Sequence, residues 1–173
     1  RNTGPMVLRA PNGSIDLGTA FITGGDLTLQ SLDDMSLGGA NITGNLNMSS
    51  TQGTVSFGQA TVTGSLTAIT NHQQVDLGSA NVGGNLNVQT NGGNVVQSTA
   101  ANSALHVTGS STINAGTGNV TLPNVPNQFT QALNLQANNV VLVGSNGLIL
   151  GNSTVTGNMS VTAATGSVTQ TPT

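Results

Sequence analysis

A repeat of about twenty residues dominates the first half of the sequence. The segments GSIDLGTAFITGGDLTLQ, DDMSLGGANITGNLNMSS, GTVSFGQATVTGSLTAIT and QQVDLGSANVGGNLNVQT begin at Gly13, Asp33, Gly53 and Gln73, and they align without a gap apart from one extra residue at Gly25. A unit this short cannot bury an apolar face by itself, so successive units must stack on one another. The repeat therefore predicts an elongated protein whose core is shared between neighbouring copies.

Equivalent positions of the four copies carry the same type of residue. The apolar columns are Ile15, Met35, Val55 and Val75; Leu17, Leu37, Phe57 and Leu77; Ala20, Ala40, Ala60 and Ala80; Ile22, Ile42, Val62 and Val82; and Leu27, Leu46, Leu66 and Leu86. Apolar and polar residues alternate within each copy, which is the period of a strand with one buried face. Gly and Asn separate these short runs, so each copy predicts three strands and three corners.

We therefore predict an all-β fold, a three-sided parallel β-solenoid with about 20 residues per coil and roughly 8 coils, which at the spacing of paired strands forms a rod about 40 Å long. The apolar columns become rows inside the tube, with the Ala column where two walls come close. The outward rows are nearly free of charge, because identical charges stacked in register would repel. Side-chain hydrogen-bond ladders are expected in the outward row Thr28, Asn47, Thr67 and Asn87.

The chain divides into four stretches in this interpretation. Residues 1–12 are a lead-in, 13–97 are regular coils, 98–139 are less regular coils with modified corners, and 140–173 are regular coils that resume a single continuous solenoid. The last stretch matches the earlier repeat at an offset of 73 residues, which aligns Met159 with Leu86 and Val168 with Val95. Alternation continues through the third stretch at Leu105, Val107, Ile113, Val120, Leu122, Leu133 and Leu135.

The segment LGNSTVTGNMSVTAATGSVTQ, preceded by NVPNQFTQALNLQANNVVLVGSNGLIL, resembles the repeats of large bacterial adhesins of the filamentous-haemagglutinin type. The shared pattern is a strand, a Leu-Gly corner, a Val-x-Gly-x-Leu-x-Val segment and a Gly-x-Val-x-Gln tail. The resemblance covers nearly the whole chain. It implies a right-handed parallel β-helix in an exported surface protein of a Gram-negative bacterium.

Composition excludes several classes of function. The chain has 2 Lys or Arg and 5 Asp or Glu residues, a net charge of -3 and no Cys. Without a basic surface we expect no nucleic-acid partner, and without a long apolar run we expect no membrane insertion. The absence of cysteine removes disulfides, thiolate metal sites and cysteine nucleophiles.

Catalytic residues are hard to assemble from this composition, and we predict that the protein is not an enzyme. Neither Lys nor Glu occurs, and the column that Asp16 and Asp76 share places them three coils apart, about 14 Å, too far for a pair of acid and base. His72 and Asp76 could be combined with a serine into a triad, but His72 lies in a corner that is expected to be solvated. His106, between Leu105 and Val107, is expected to be an ordinary outward-facing residue.

Other binding sites are considered and not favoured. Asp26, Asp33 and Asp34 could supply oxygen ligands to Ca²⁺, but the repeat lacks the spacing of calcium-binding β-rolls. A threonine row like that of ice-binding solenoids is interrupted at Phe21, Asn41 and Asn81. Phe21 itself is expected to pack beneath the N-terminal segment, with a contact to another chain as the alternative. Glycosylation sequons occur at Asn12, Asn41, Asn47, Asn119, Asn152 and Asn158. We predict no metal, no cofactor and no catalytic residue.

The sequence therefore predicts a structural shaft segment of an extracellular bacterial fibre, a spacer or attachment rod at the outer cell surface. The expected partners are neighbouring coils of the same larger protein or other copies end to end, with a receptor or glycan as a further partner. One alternative is a subunit that assembles head to tail into an extracellular filament. A polysaccharide-active β-helix enzyme is the third and least favoured interpretation.

Overall fold

The computed structural model describes residues 3–19, 24–98 and 103–171, and the regular secondary structure of these residues is entirely β-strand. The strands are β1 (Met6–Ala10), β2 (Ile15–Asp16), β3 (Leu27–Ser31), β4 (Met35–Ile42), β5 (Leu46–Ser50), β6 (Val55–Val62), β7 (Leu66–Ile69), β8 (Val75–Asp76), β9 (Ser79–Val82), β10 (Leu86–Gln89), β11 (Val95–Val96), β12 (His106–Val107), β13 (Ser111–Asn114), β14 (Val120–Leu122), β15 (Gln128–Phe129), β16 (Leu133–Ala137), β17 (Val140–Gly144), β18 (Leu148–Val155), β19 (Met159–Ala163) and β20 (Val168–Gln170).

These strands wind into a parallel β-solenoid with about 20 residues per coil and about 8 turns, as predicted. One sheet of nine strands runs β1-β3-β5-β7-β10-β13-β16-β18-β20, and we call it the third wall. The second sheet, of eleven strands, bends into two walls. The first wall contains β2, β8, β11, β14, β17 and β19, and the second wall contains β9, β12 and β15. The long strands β4 and β6 run through both.

The predicted inner rows are confirmed in the coils that the structure describes. Leu27, Leu46, Leu66 and Leu86 are paired in register along the third wall and are at most 1% exposed. The alternating apolar residues of the stretch 98–139 are buried as well: Leu105, Val107, Ile113, Val120, Leu122, Leu133 and Leu135. Stacking in register thus buries a continuous core although each coil is short.

The strand breaks at the Leu-Gly corner in the copies where aspartate precedes the corner, and it continues in the copies where serine does. The Asp76 carboxylate accepts a hydrogen bond from the Gly78 amide at 2.9 Å, and Gly78 adopts a φ of 50°. This turn, which only glycine adopts readily, ends β8. In the copies with Ser36 and Ser56 the chain stays extended and forms the eight-residue strands β4 and β6.

Side-chain ladders lie at the corners of the described coils, not in the outward row that contains Asn47, for which they were predicted. Before the third wall, the side chains of Asp26, Asn45, Ser65 and Asn85 each accept a hydrogen bond from the backbone amide of the next coil, and the ladder ends at the Ser110 amide. Before the first wall, the side chains of Asn94, Asn119 and Asn139 accept from the next coil in the same way at 2.8–3.1 Å, and this ladder ends at the Asn158 amide. The corners are the places where backbone amides would otherwise lack partners.

A row of hydroxyls is buried where the third wall ends. Ser31, Ser50, Thr70 and Thr90 are at most 6% exposed, and each donates a hydrogen bond of 2.6–2.7 Å to a corner carbonyl. Ser31, Thr70 and Thr90 donate within their own corners, and Ser50 donates to the Asp33 carbonyl of the preceding coil. These bonds satisfy carbonyls that face the interior, where an unpaired polar group is costly.

The irregular coils are held by a buried pair of amides. Gln97 stands in the first wall between Leu77 and Leu122, and its side chain exchanges two hydrogen bonds of 2.7 and 2.8 Å with Asn127. Asn127 also accepts the amide hydrogen of Leu105. Each amide thus replaces an apolar residue of a row without being left unpaired.

The last coils are displaced by one wall relative to the sequence alignment. Met159 pairs with Val140 in the sheet that contains Val95, and Val168 pairs with Leu148 in the sheet that contains Leu86. Residues that match in the sequence, Met159 with Leu86 and Val168 with Val95, therefore lie in different walls. In the described residues, β15 is the last strand of the second wall, and the chain passes from β17 in the first wall into β18 in the third wall. A bulge between Leu133 and Leu135 shifts the register in which β16 pairs with β18.

Candidate functional site

A row of polar side chains runs along the outer surface of the second wall. Backbone pairing places Asn41 beside Thr61, Thr61 beside Asn81, Asn81 beside His106 and His106 beside Gln128. Each neighbour is one strand spacing away, so the five side chains span about 19 Å parallel to the solenoid axis. We call this set the polar row.

A groove follows the polar row. One depression of about 610 Å³ is lined by Asn41, Thr61, Asn81 and His106 together with small residues such as Gly38 and Gly58. A second depression of about 230 Å³ continues past His106 to Gln128 and shares Asn81 and His106 with the first. The groove exists because the corner between the first and second walls carries glycine and alanine, which leave the space above them open.

The groove is lined without any charged side chain. No Asp, Glu, Lys or Arg occurs anywhere in residues 77–173. Amides, hydroxyls and one imidazole remain, all of which form hydrogen bonds, and the amides and hydroxyls both donate and accept. The arrangement therefore suits recognition by hydrogen bonding. It does not place two ionisable groups together for proton transfer.

The two histidines occupy different environments. His106 is half-buried in β12, beside the buried Leu105 and Val107, and faces outward as predicted. His72 is exposed in a corner with a φ of 63°. The Asp76 carboxylate accepts hydrogen bonds from the backbone amides of Gly78 and Ser98 and none from His72. The structure thus does not join His72 and Asp76 in a triad.

Of the aspartates considered as calcium ligands, Asp26 lies apart from the neighbouring Asp33 and Asp34. Asp26 precedes β3 and Asp34 follows it, so about five extended residues, roughly 16 Å, separate them. Asp26 accepts hydrogen bonds from Asn45, and Asp34 accepts them from Thr54. Among the residues that the structure describes, no group of three His, Cys, Asp or Glu side chains could hold a metal ion.

The remaining sequence candidates are spread over the molecule. Phe21 and the expected contact beneath it lie outside the described residues. Asn119 is half-buried and bonded to Asn139, and the other five sequon asparagines are exposed: Asn12, Asn41, Asn47, Asn152 and Asn158. In the described part of the chain, no helix is long and apolar enough to cross a membrane.

Sequence reasoning found only part of the polar row. The shared position of Asn41, Thr61 and Asn81 follows from the constant repeat. His106 and Gln128 were missed as members, because the coils that contain them are 25 and 22 residues long between equivalent strand positions, Leu86 to Ser111 and Ser111 to Leu133. The signal that would have found them is the alternation around Leu105 and Val107, which points His106 outward.

The chain was compared with known proteins. A family model described as repeats of unknown function (DUF5649) matches residues 65–136 and 137–173. No curated protein and no solved structure matches the chain. The family match covers more than half of the sequence and includes both regular and irregular coils. The chain therefore belongs to the DUF5649 family of repeats.

Proposed function

We propose that the chain is a shaft segment of an extracellular bacterial adhesin-like fibre, a non-catalytic rod that holds a binding region away from the cell surface. The observation that carries this proposal is the nine-stranded third wall, in which every strand pairs in parallel with the next from β1 to β20. Each coil adds about 4.8 Å of length along the solenoid axis. A protein of this kind extends by adding coils, which is what a spacer requires.

The surface chemistry supports the same role. Only 4% of the residues are charged, so stacked coils do not place rows of like charge beside one another. The groove lacks a paired acid and base, which supports a non-catalytic function. The resemblance to filamentous-haemagglutinin-type repeats supports placement at the outer cell surface.

Immunogold electron microscopy of the cells that produce the protein tests this proposal. With antibodies against the folded chain, we expect label along fibres outside the outer membrane. Label confined to the cytoplasm would contradict it. Incubation with neutral and acidic polysaccharides tests the non-catalytic part, since release of new chain ends with turnover would show an enzyme.

Self-assembly into a filament is a second candidate, favoured by one observation. The inner rows are uncovered in the last described coil, where Met159 is 40% and Val168 is 44% exposed, and β19 and β20 each have one strand neighbour. A further coil, from the same protein or from another copy, would cover them. Electron microscopy of the purified chain separates the two functions, because short uniform rods favour a shaft segment and long fibres favour head-to-tail assembly.

A further inference from the structure

We propose that the groove on the second wall binds an uncharged, hydroxyl-rich polymer, a neutral glycan chain, along the solenoid axis. This inference and the shaft role are independent, because the groove is present whatever the coils are used for and a shaft does not require a binding groove. It rests on three properties of the groove: its length, its lack of charge, and its course across strands β9 and β12, which are paired on both sides.

The shape of the groove selects an extended ligand. The depressions of about 610 and 230 Å³ share Asn81 and His106 in their linings, so an extended ligand would contact several coils in succession. The polar row offers one hydrogen-bonding side chain per coil over about 19 Å. A linear polymer with similar groups repeated along its length can engage several of these side chains at once, whereas a compact ligand reaches only one or two.

The chemistry of the lining selects a neutral ligand. Asn41, Asn81 and Gln128 each carry an amide that donates and accepts, and Thr61 carries a hydroxyl that does both. Sugar hydroxyls need this combination of donors and acceptors. An anionic polymer would find no Lys or Arg in the groove, and a cationic one would find no carboxylate.

A peptide fits the groove less well. Of the strands beneath the polar row, β9 is paired on both sides by β6 and β12, and β12 by β9 and β15. The described strand β15 has one strand neighbour, and a peptide strand added to its free edge would run parallel to β15, across the solenoid axis and not along the groove. The described lining also contains no Phe, Tyr or Trp side chain to anchor an apolar residue.

The two histidines provide the test, because the chain contains only His72 and His106. The imidazole signals of the isotope-labelled full chain are followed by NMR during titration with cellohexaose, maltohexaose and N-acetylchitohexaose, with hexagalacturonate as the charged probe. We expect saturable shifts at His106 and no shift at His72 with at least one neutral probe. Hexagalacturonate should leave both signals unchanged.

Two alanine variants complete the experiment. Asn81→Ala should raise the dissociation constant about three- to tenfold, the usual effect of losing one hydrogen bond. Asn87→Ala, an exposed asparagine of the same coil on the third wall, should leave the dissociation constant unchanged. The proposal is overturned if no neutral probe shifts His106, if both histidines respond equally, if the charged probe binds more tightly, or if the two variants weaken binding alike. Binding without turnover would support this site and leave the shaft proposal intact.

Discussion

Ser111 should lower the stability of the fold, and its replacement by alanine should raise the free energy of unfolding. The residue is fully buried between Leu86 and Leu133 in the leucine row, and its hydroxyl has no hydrogen-bond partner. An unpaired buried hydroxyl costs about 1–3 kcal/mol. Losing the few van der Waals contacts of one oxygen offsets about 0.5 kcal/mol of the gain. We expect Ser111→Ala to stabilise the protein by about 1 kcal/mol, or about 2–4 °C in Tm.

The same substitution should have different effects at two other serines. Buried Ser50 donates a hydrogen bond to the Asp33 carbonyl at 2.7 Å and accepts one from the Gly53 amide at 2.9 Å. Ser50→Ala leaves the buried Gly53 amide unpaired, while the Asp33 carbonyl keeps the hydrogen bond from Ser31, and should destabilise the protein by about 2 kcal/mol. Ser36 faces outward from β4, and Ser36→Ala should change the stability by less than about 0.5 kcal/mol.

Urea unfolding followed by circular dichroism measures all three variants on one scale. The expected order of midpoints is Ser111→Ala above wild type, Ser36→Ala equal to it, and Ser50→Ala below it. If Ser111→Ala were as destabilising as Ser50→Ala, the Ser111 hydroxyl would have to be paired, and the reasoning from its isolation would fail.

Two further predictions concern the corners and the amide pair. Gly93→Ala would place its Cβ against the backbone of the preceding coil and should lower the free energy of unfolding by more than about 3 kcal/mol, measured by thermal melts. Gly13→Ala is the control, because a Cβ there meets open space, and it should change the free energy of unfolding by less than about 0.5 kcal/mol. Gln97→Leu and Asn127→Leu remove the same two hydrogen bonds, so a double-mutant cycle in urea should give a coupling energy of at least about 1 kcal/mol; additive effects would show that the pair does not act as a unit.

The inner rows were predictable because two regularities reinforce each other. The two-residue alternation determines which side chains face inward, and the constant offset determines which of them stack. Leu37, Phe57 and Leu77 are buried for this reason, at most 3% exposed. Leu17 is only partly buried, because the strand it follows, β2, pairs with β4 alone.

The polar interactions were less predictable from the sequence. Asn, Ser, Thr and Gly form half of the chain, so a serine at a corner looks like any other serine. Ser50 and Ser36 differ only in the wall position that the corner geometry gives them. The ladders at Asn45 and Asn85 depend on backbone amides left over at a corner, which the alternation does not reveal.

In the last coils, the sequence also could not show which wall each strand occupies. All three walls use the same alternating triplets, so Met159 matches Leu86 by residue type whichever wall it joins. The bulge between β16 and β18 and the end of the second wall at β15 decide the outcome. The end of the groove that contains His106 and Gln128 could not be predicted for a related reason, because the longer coils move these two residues out of the twenty-residue repeat.

Distances between spin labels test the stacking in register most directly. The chain has no native Cys, so pairs of cysteines can be placed at Thr28 and at Thr67, Thr112 or Asn134, outward positions of the third wall that lie two, four and five coils away. The label separation should grow by about 4.8 Å per coil, to about 24 Å for the last pair apart from a constant offset due to the label arms. Separations that do not increase with the number of coils, or that increase by far more than about 4.8 Å per coil, would contradict the solenoid.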